Sequence, residues 1–218
     1  DRGFAINHLA SFLAADDVAW NSRSHREATR AEVRGWLEEV PDPRPRGVLS
    51  RLEKGGRILP PGVDLSGFPD PQRRPASEPP VIAWNHRWDG DKRPGAFQRT
   101  LQRLADKGHD FRLVLLGPTF HDVSKPLAAI RERHGERILR DGPAETREEY
   151  VGWLSRADYA VSTAAQENFG YAAVEAMAAG AVPLLPDRLS YPELMPRRLA
   201  KRLLYKNDRD LARRLVEE

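Results

Sequence analysis

The sequence contains no cysteine. That excludes disulfides, thiolate nucleophiles and cysteine-ligated metal centres, and it fits a reducing cytoplasm. No apolar run approaches the roughly 18–20 residues that a membrane span requires. Low-complexity segments and short tandem repeats are absent too. Excess charge of one sign is small: 35 Lys and Arg against 32 Asp and Glu give a net charge of +3. With no basic–aromatic stripe beside it, this balance does not announce sequence-independent nucleic-acid binding. The opening Asp1-Arg2-Gly3-Phe4 has neither an initiator methionine nor a signal peptide and reads as the interior of a longer protein. What is present is enough for a core: 40% hydrophobic and 31% charged residues mark a globular chain.

Apolar spacing over residues 3 to 15 predicts a helix, followed by a short buried strand at Asp17–Ser22. Ser22 is placed to cap a helix running to about Val40, which Pro41, Pro43 and Pro45 end. Arg57-Ile58-Leu59 reads as a strand stopped by Pro60-Pro61-Gly62. Residues 66 to 80 carry five prolines and read as a linker. From Val81 the pattern alternates. Strands are expected at Val81–Trp84, Phe111–Gly117, Arg137–Arg140, Asp158–Thr163, Val182–Leu185 and Arg202–Tyr205. Helices are expected near 94–107, 124–134, 147–155 and 170–179. Repeated strand–helix units predict an α/β fold, a Rossmann-like parallel sheet with helices on both faces. Ligands bind such sheets at the carboxyl ends of the strands.

Two strand-end loops carry the chemistry. The first follows the strand at Asp158–Thr163 and reads Gln166-Glu167-Asn168-Phe169-Gly170-Tyr171, with Glu175 further on in a helix of small residues. Backbone N–H groups at a helix start attract phosphate, and carboxylates on either side can hold hydroxyls. This suits a ligand with phosphate in the middle and hydroxyls at both ends. The second loop follows Trp84 and holds Asn85, His86, Arg87 and Lys92. Two cations there can bracket a diphosphate, Arg as a fork and Lys as a point charge. A lone loop histidine such as His86 ordinarily sits at the surface. Asp89 and Asp91 imitate a metal-binding acidic triplet, but beside Arg87 and Lys92 they read as ion-pair partners. Gly117 ends the second strand of the alternating region in a tight turn.

Glu167, Phe169-Gly170 and Glu175 resemble the donor-site signature of family 4 retaining glycosyltransferases of the GT-B type. The resemblance implies that Glu167 contacts the transferred sugar and Glu175 the ribose. It implies that the backbone after Phe169-Gly170 lies against the diphosphate or sugar, and that Arg87 and Lys92 bind the phosphates. Glu167, Arg87 and Lys92 thus become the catalytic candidates. Asn85, His86, Gly117, Asn168, Phe169, Gly170, Tyr171 and Glu175 become donor-binding. No metal or other cofactor is expected.

More particular stretches narrow the family. Trp84-Asn85-His86-Arg87-Trp88, Val161-Ser162-Thr163-Ala164, Pro41-Asp42-Pro43-Arg44-Pro45 and the run from Leu185 to Pro196 resemble tRNA-queuosine α-mannosyltransferases. That resemblance implies a GDP-mannose donor and a cytoplasmic enzyme acting on queuosine in tRNA. It also implies a domain plan: residues 1–64 as the end of an N-terminal acceptor-side domain, 65–80 as linker and 81–218 as the nucleotide-sugar domain. On this plan most of the N-terminal domain lies outside the sequence, and the chain alone is expected not to transfer sugar. A different nucleotide sugar with a lipid, sugar or small-metabolite acceptor is the alternative enzyme. A non-catalytic nucleotide-sugar module and an unrelated phosphoryl-binding enzyme are the other readings.

Overall fold

The computed structural model describes residues 9–39, 47–48, 50–51, 56–70, 75, 77–119 and 125–217. The chain divides into two compact units, Asp1–Gly62 and Val63–Glu218.

In the first unit, a helix over residues 9–14 precedes β1 (Ala19–Trp20) and α1 (Arg23–Glu39). Ser22 Oγ accepts from the backbone N–H of His25 at 3.0 Å, capping α1 as expected. β1 pairs in parallel with β2 (Arg57–Ile58). The strand is therefore shorter than the apolar run Asp17–Ser22 suggests. Trp20 is buried with Leu9, Leu37 and Val48 in a small core, its ring 5.0 Å from Phe12. Pro41, Pro43 and Pro45 lie outside the described residues.

Among its described residues the second unit has six parallel strands, β3 (Val81–Trp84), β4 (Arg112–Leu115), β5 (Ile138–Asp141), β6 (Tyr159–Val161), β7 (Val182–Pro186) and β8 (Leu204–Tyr205). Their order is β5-β4-β3-β6-β7-β8, the doubly wound arrangement. Period-two alternation sends side chains to opposite faces. Ile82 and Trp84 join one core with Leu113, Leu115, Phe97, Leu101 and Ile130, while Val81 and Ala83 join the other with Val114, Leu116, Leu154 and Ala176. The helices supplying those residues include α2 (Pro94–Asp106), α3 (Lys125–His134), α4 (Arg147–Leu154) and α5 (Tyr171–Ala178).

Three helices at the C-terminal end escaped the sequence reading: α6 (Tyr191–Leu194), α7 (Arg197–Leu203) and α8 (Asp208–Glu217). The expected strand Arg202–Tyr205 is corrected to β8 alone, because Arg202 and Leu203 close α7. A short apolar run cannot separate the two states by pattern. Here the parallel pairing of Leu204 and Tyr205 with Leu185 and Pro186 decides it.

Candidate functional site

β3 and β6 are neighbours at the point where the strand order reverses. The crevice beyond their carboxyl ends is where such sheets take ligands. The two loops singled out in the sequence meet there. Ala165 N donates to Asp91 O at 2.7 Å, and Thr163 Oγ1 donates to the carbonyls of Lys92 and Arg93 at 2.7 and 3.0 Å. These bonds steady Arg93, whose φ of 51° is uncommon for a side-chain-bearing residue. α2 starts directly after it.

Lys92 Nζ donates to Gln166 O at 2.9 Å and stands 3.3 Å from Glu167 Oε2 and 3.4 Å from Asp91 Oδ2. Its side chain is 12% exposed. Arg87 is nearly half exposed and reaches Asp89 at 3.1 Å and Asp91 at 3.3 Å. Asp91 Oδ2 thus bridges both cations, and Asp89 and Asp91 behave as ion-pair partners. The cluster joins two cations to the carboxylates of Asp89, Asp91 and Glu167. Among the described residues no group of three or more His, Cys, Asp and Glu side chains is arranged to hold a metal ion.

Glu167 turns its other oxygen back on the chain, accepting from the N–H groups of Asn168 at 3.1 Å and Phe169 at 3.3 Å. Ser190 Oγ donates to Phe169 O at 3.0 Å, holding the turn from the far side. Gly170 then caps α5 with φ 107°, a conformation that favours glycine. A Cβ there would also lie 3.0 Å from Leu194 Cδ1. Tyr171 opens the helix, exposed, its ring edge-on to Phe169 at 5.2 Å.

Glu175 lies one turn further along α5. Arg147 Nη1 donates to its Oε1 at 2.5 Å, and Tyr150 Oη donates to its Oε2 at 2.7 Å. Asn85 Nδ2 donates to Tyr150 Oη at 3.0 Å and to Ala172 O at 2.9 Å, so the amide ties β3 to α4 and α5. Gly117 is needed for close approach. A Cβ at that position would sit 1.8 Å from the carbonyl oxygen of His86.

His86 corrects the surface reading: it is 5% exposed, edge-on to the Trp84 ring at 5.5 Å. Trp84 in turn stacks on Trp88 and Phe97 at 5.1 and 4.6 Å. Burial, with Lys92 nearby as a smaller cause, lowers its pKa to about 3. The imidazole is neutral in the folded protein at ordinary pH.

The sequence reading missed Arg147 and Tyr150, which stand at the start of the helix after β5 and could have been found as strand-end residues. It also missed Arg188. That guanidinium donates to the carbonyls of Thr163 at 3.2 Å and Ala164 at 2.8 and 3.1 Å, sealing the end of β6. Beneath it, Ser162 bonds the Tyr191 hydroxyl through its Oγ and accepts from the Tyr205 hydroxyl at its carbonyl, both at 2.6 Å.

Comparison with known proteins agrees with this architecture. Residues 1–63 match the family model described as tRNA-queuosine alpha-mannosyltransferase N-terminal. The tRNA-queuosine alpha-mannosyltransferase of Drosophila melanogaster is 30% identical over 223 residues, covering 99% of this chain and 58% of the fly protein. The GDP-mannose:cellobiosyl-diphosphopolyprenol alpha-mannosyltransferase of Xanthomonas campestris is 27% identical over 135 residues, 60% of this chain and 34% of its own. Among solved structures, sucrose-phosphate synthase from Thermosynechococcus elongatus superposes with a TM-score of 0.70. It is 21% identical over 100% of this chain and 52% of its own, a likeness of fold. The chain thus spans little more than half the length of the fly relative. With an α/β fold of GT-B type, a family-model match over residues 1–63 and 30% identity to the fly enzyme along 99% of its own length, the chain is similar to the tRNA-queuosine alpha-mannosyltransferases.

Proposed function

We propose that this chain is the donor-binding portion of a retaining glycosyltransferase. The whole protein would transfer mannose from GDP-mannose to queuosine in tRNA. The observation that carries the reading is convergence: Arg87, Lys92, Glu167 and the start of α5 meet beyond the strands at the switch point. The 30% identity to the Drosophila tRNA-queuosine alpha-mannosyltransferase supports the acceptor and the sugar.

The chemistry follows from the contacts. The donor diphosphate would draw Arg87 away from Asp89 and Asp91, which hold it at an exposed position. Lys92 and the first N–H groups of α5 would neutralise charge as the diphosphate departs. Glu167, pinned by Lys92 and by two backbone N–H groups, would orient the sugar ring. Glu175 would accept the ribose hydroxyls. The leaving phosphate would take the acceptor's proton on the same face of the sugar, giving retention with no carboxylate nucleophile. No metal takes part in this scheme.

A second reading keeps the donor and changes the acceptor to a lipid-linked sugar, supported by the Xanthomonas relative whose name specifies a polyprenol-linked acceptor. Among the described residues no helix is long and apolar enough to cross a membrane.

The test is calorimetry of the full-length protein with GDP, UDP and ADP, with and without mannose attached, followed by transfer assays. The expected result is preference for GDP-mannose, loss of binding in Glu175→Ala, and mannose transfer to queuosine-containing tRNA. A UDP-sugar preference overturns the donor assignment. GDP-mannose turnover with a polyprenol-linked sugar, but not with tRNA, selects the second reading.

A further inference from the structure

The carboxylate of Glu175 is held by residues that no sequence motif identifies. Arg147 Nη1 takes one oxygen and Tyr150 Oη the other, both from the first turn of α4. That turn is itself pinned, because Thr146 Oγ1 accepts from Glu149 N at 3.1 Å. Arg147 is fixed on three sides. Its second nitrogen donates to Asp64 O at 3.0 Å, and its guanidinium lies 5.2 Å from the Phe68 ring centre and 5.4 Å from that of Tyr150.

The proton directions are set as well. Ala172 O can only accept, so the Asn85 amide must turn its nitrogen toward Ala172 and Tyr150. Tyr150 Oη therefore accepts a hydrogen bond from Asn85 and donates one to Glu175. Burial first, and the bond to Glu175 after it, raise the phenol's pKa above its ordinary value, so it stays a donor.

A carboxylate offers about four acceptor positions. Arg147 and Tyr150 occupy one on each oxygen, leaving one on each. The side chain is 17% exposed, so the carboxylate still meets solvent. Two acceptors on one rigid, planar group match two neighbouring hydroxyls.

We propose that Arg147 and Tyr150 are positioning residues that hold Glu175 as a fixed, two-point acceptor, making the site specific for a ligand with a vicinal diol. The inference rests on the donor-site reading above, in which that diol is the 2′,3′-diol of the nucleotide ribose. Fixing the carboxylate before the ligand arrives spares the cost of ordering it on binding.

The experiment compares GDP with 2′,3′-dideoxy-GDP by calorimetry on the full-length protein, in wild type, Tyr150→Phe and Arg147→Lys. In wild type, GDP binds more tightly than the dideoxy analogue. Each variant reduces that ratio, by roughly ten-fold for Tyr150→Phe, as expected for a lost hydrogen bond to a charged group. A network that merely joined α4 to α5 would lower the melting temperature and leave the ratio unchanged. Wild-type ratios in both variants overturn the proposal and leave the donor site standing. A wild type that does not distinguish the two ligands overturns the donor-site reading, and the proposal with it. Should Tyr150→Phe fail to fold, Arg147→Lys decides between the same outcomes, since it keeps the charge and loses the fork.

Discussion

Glu167 and Glu175 flank one glycine turn, yet the molecule holds them in opposite ways. Glu167 sits in a loop, against the flexible stem of Lys92 and its own neighbouring N–H groups. Glu175 sits on a helix between a planar guanidinium and a half-buried phenol. Around Glu167 the charges form a shared cluster in which Asp91 pairs with both Arg87 and Lys92. Such a cluster can exchange partners when a phosphate arrives, whereas the clamp on Glu175 keeps its geometry. On the proposed donor-site reading, one region would respond to changing charge during the reaction and the other would select what binds.

The comparison breaks most visibly at Lys92. On the proposed donor-site reading, Lys92→Ala in the full-length protein is expected to cut steady-state sugar transfer about 100- to 1,000-fold, the loss typical of one preorganised charge stabiliser. Because Lys92 and Glu167 touch, the double variant Lys92→Ala with Glu167→Gln should lose less than the sum of the two singles. Turnover within three-fold of wild type for Lys92→Ala would remove the distinction between the regions.

Next comes Glu175→Gln, which trades a charged acceptor for an amide. Donor affinity should fall by an order of magnitude or more, while turnover at saturating donor stays near wild type. That pattern marks lost uniform binding, the opposite of the signature expected at Lys92. A fall in turnover at unchanged KM would assign Glu175 to the reacting region instead.

Gly117→Ala tests the packing beneath both. The new methyl would meet the His86 carbonyl, forcing the 85–93 loop off its seat. A destabilisation of about 1–3 kcal/mol is expected, which at this length lowers Tm by roughly 2–4 °C per kcal/mol. An unchanged melting curve would show that the loop shifts freely.

The last test is a pH dependence, which at pH 7 leaves the protein unaffected. His86 titrates near 6.5 when unfolded and about 3 when folded. Between those values the unfolded chain binds a proton that the folded protein refuses. The stabilisation is therefore complete above pH 6.5 and is lost as pH falls through that window, at up to about 1.4 kcal/mol per pH unit. Melting temperatures of His86→Phe measured from pH 4 to 7 should fall less steeply than those of wild type. Parallel curves would place the acid sensitivity elsewhere.

Much of this was readable from residue pattern. The strands β3 to β7 and the order of their helices follow from apolar runs broken by turn residues. The meeting of the 85–93 and 162–170 loops follows from where ligands bind doubly wound sheets. What stayed hidden depends on contacts far apart in sequence. Glu175 finds Arg147 across 28 residues and Tyr150 across 25, and no spacing rule encodes that pairing. His86 misleads because polarity predicts exposure, whereas its loop folds the ring against Trp84. Arg188, three carbonyl contacts and all, looks in sequence like one more surface arginine.

The buried hydroxyls under β6 carry a consequence for how the protein is made. Ser162 opens the loop that leads to Glu167, but its partners Tyr191 and Tyr205 lie 29 and 43 residues downstream. A ribosome adding roughly 5–20 residues per second delivers them seconds later. Until β8 docks beside β7, Ser162 lacks the bond from Tyr205, and the floor of the loop is incomplete. The nascent chain therefore completes the sheet at its far edge before it can complete the site at its centre.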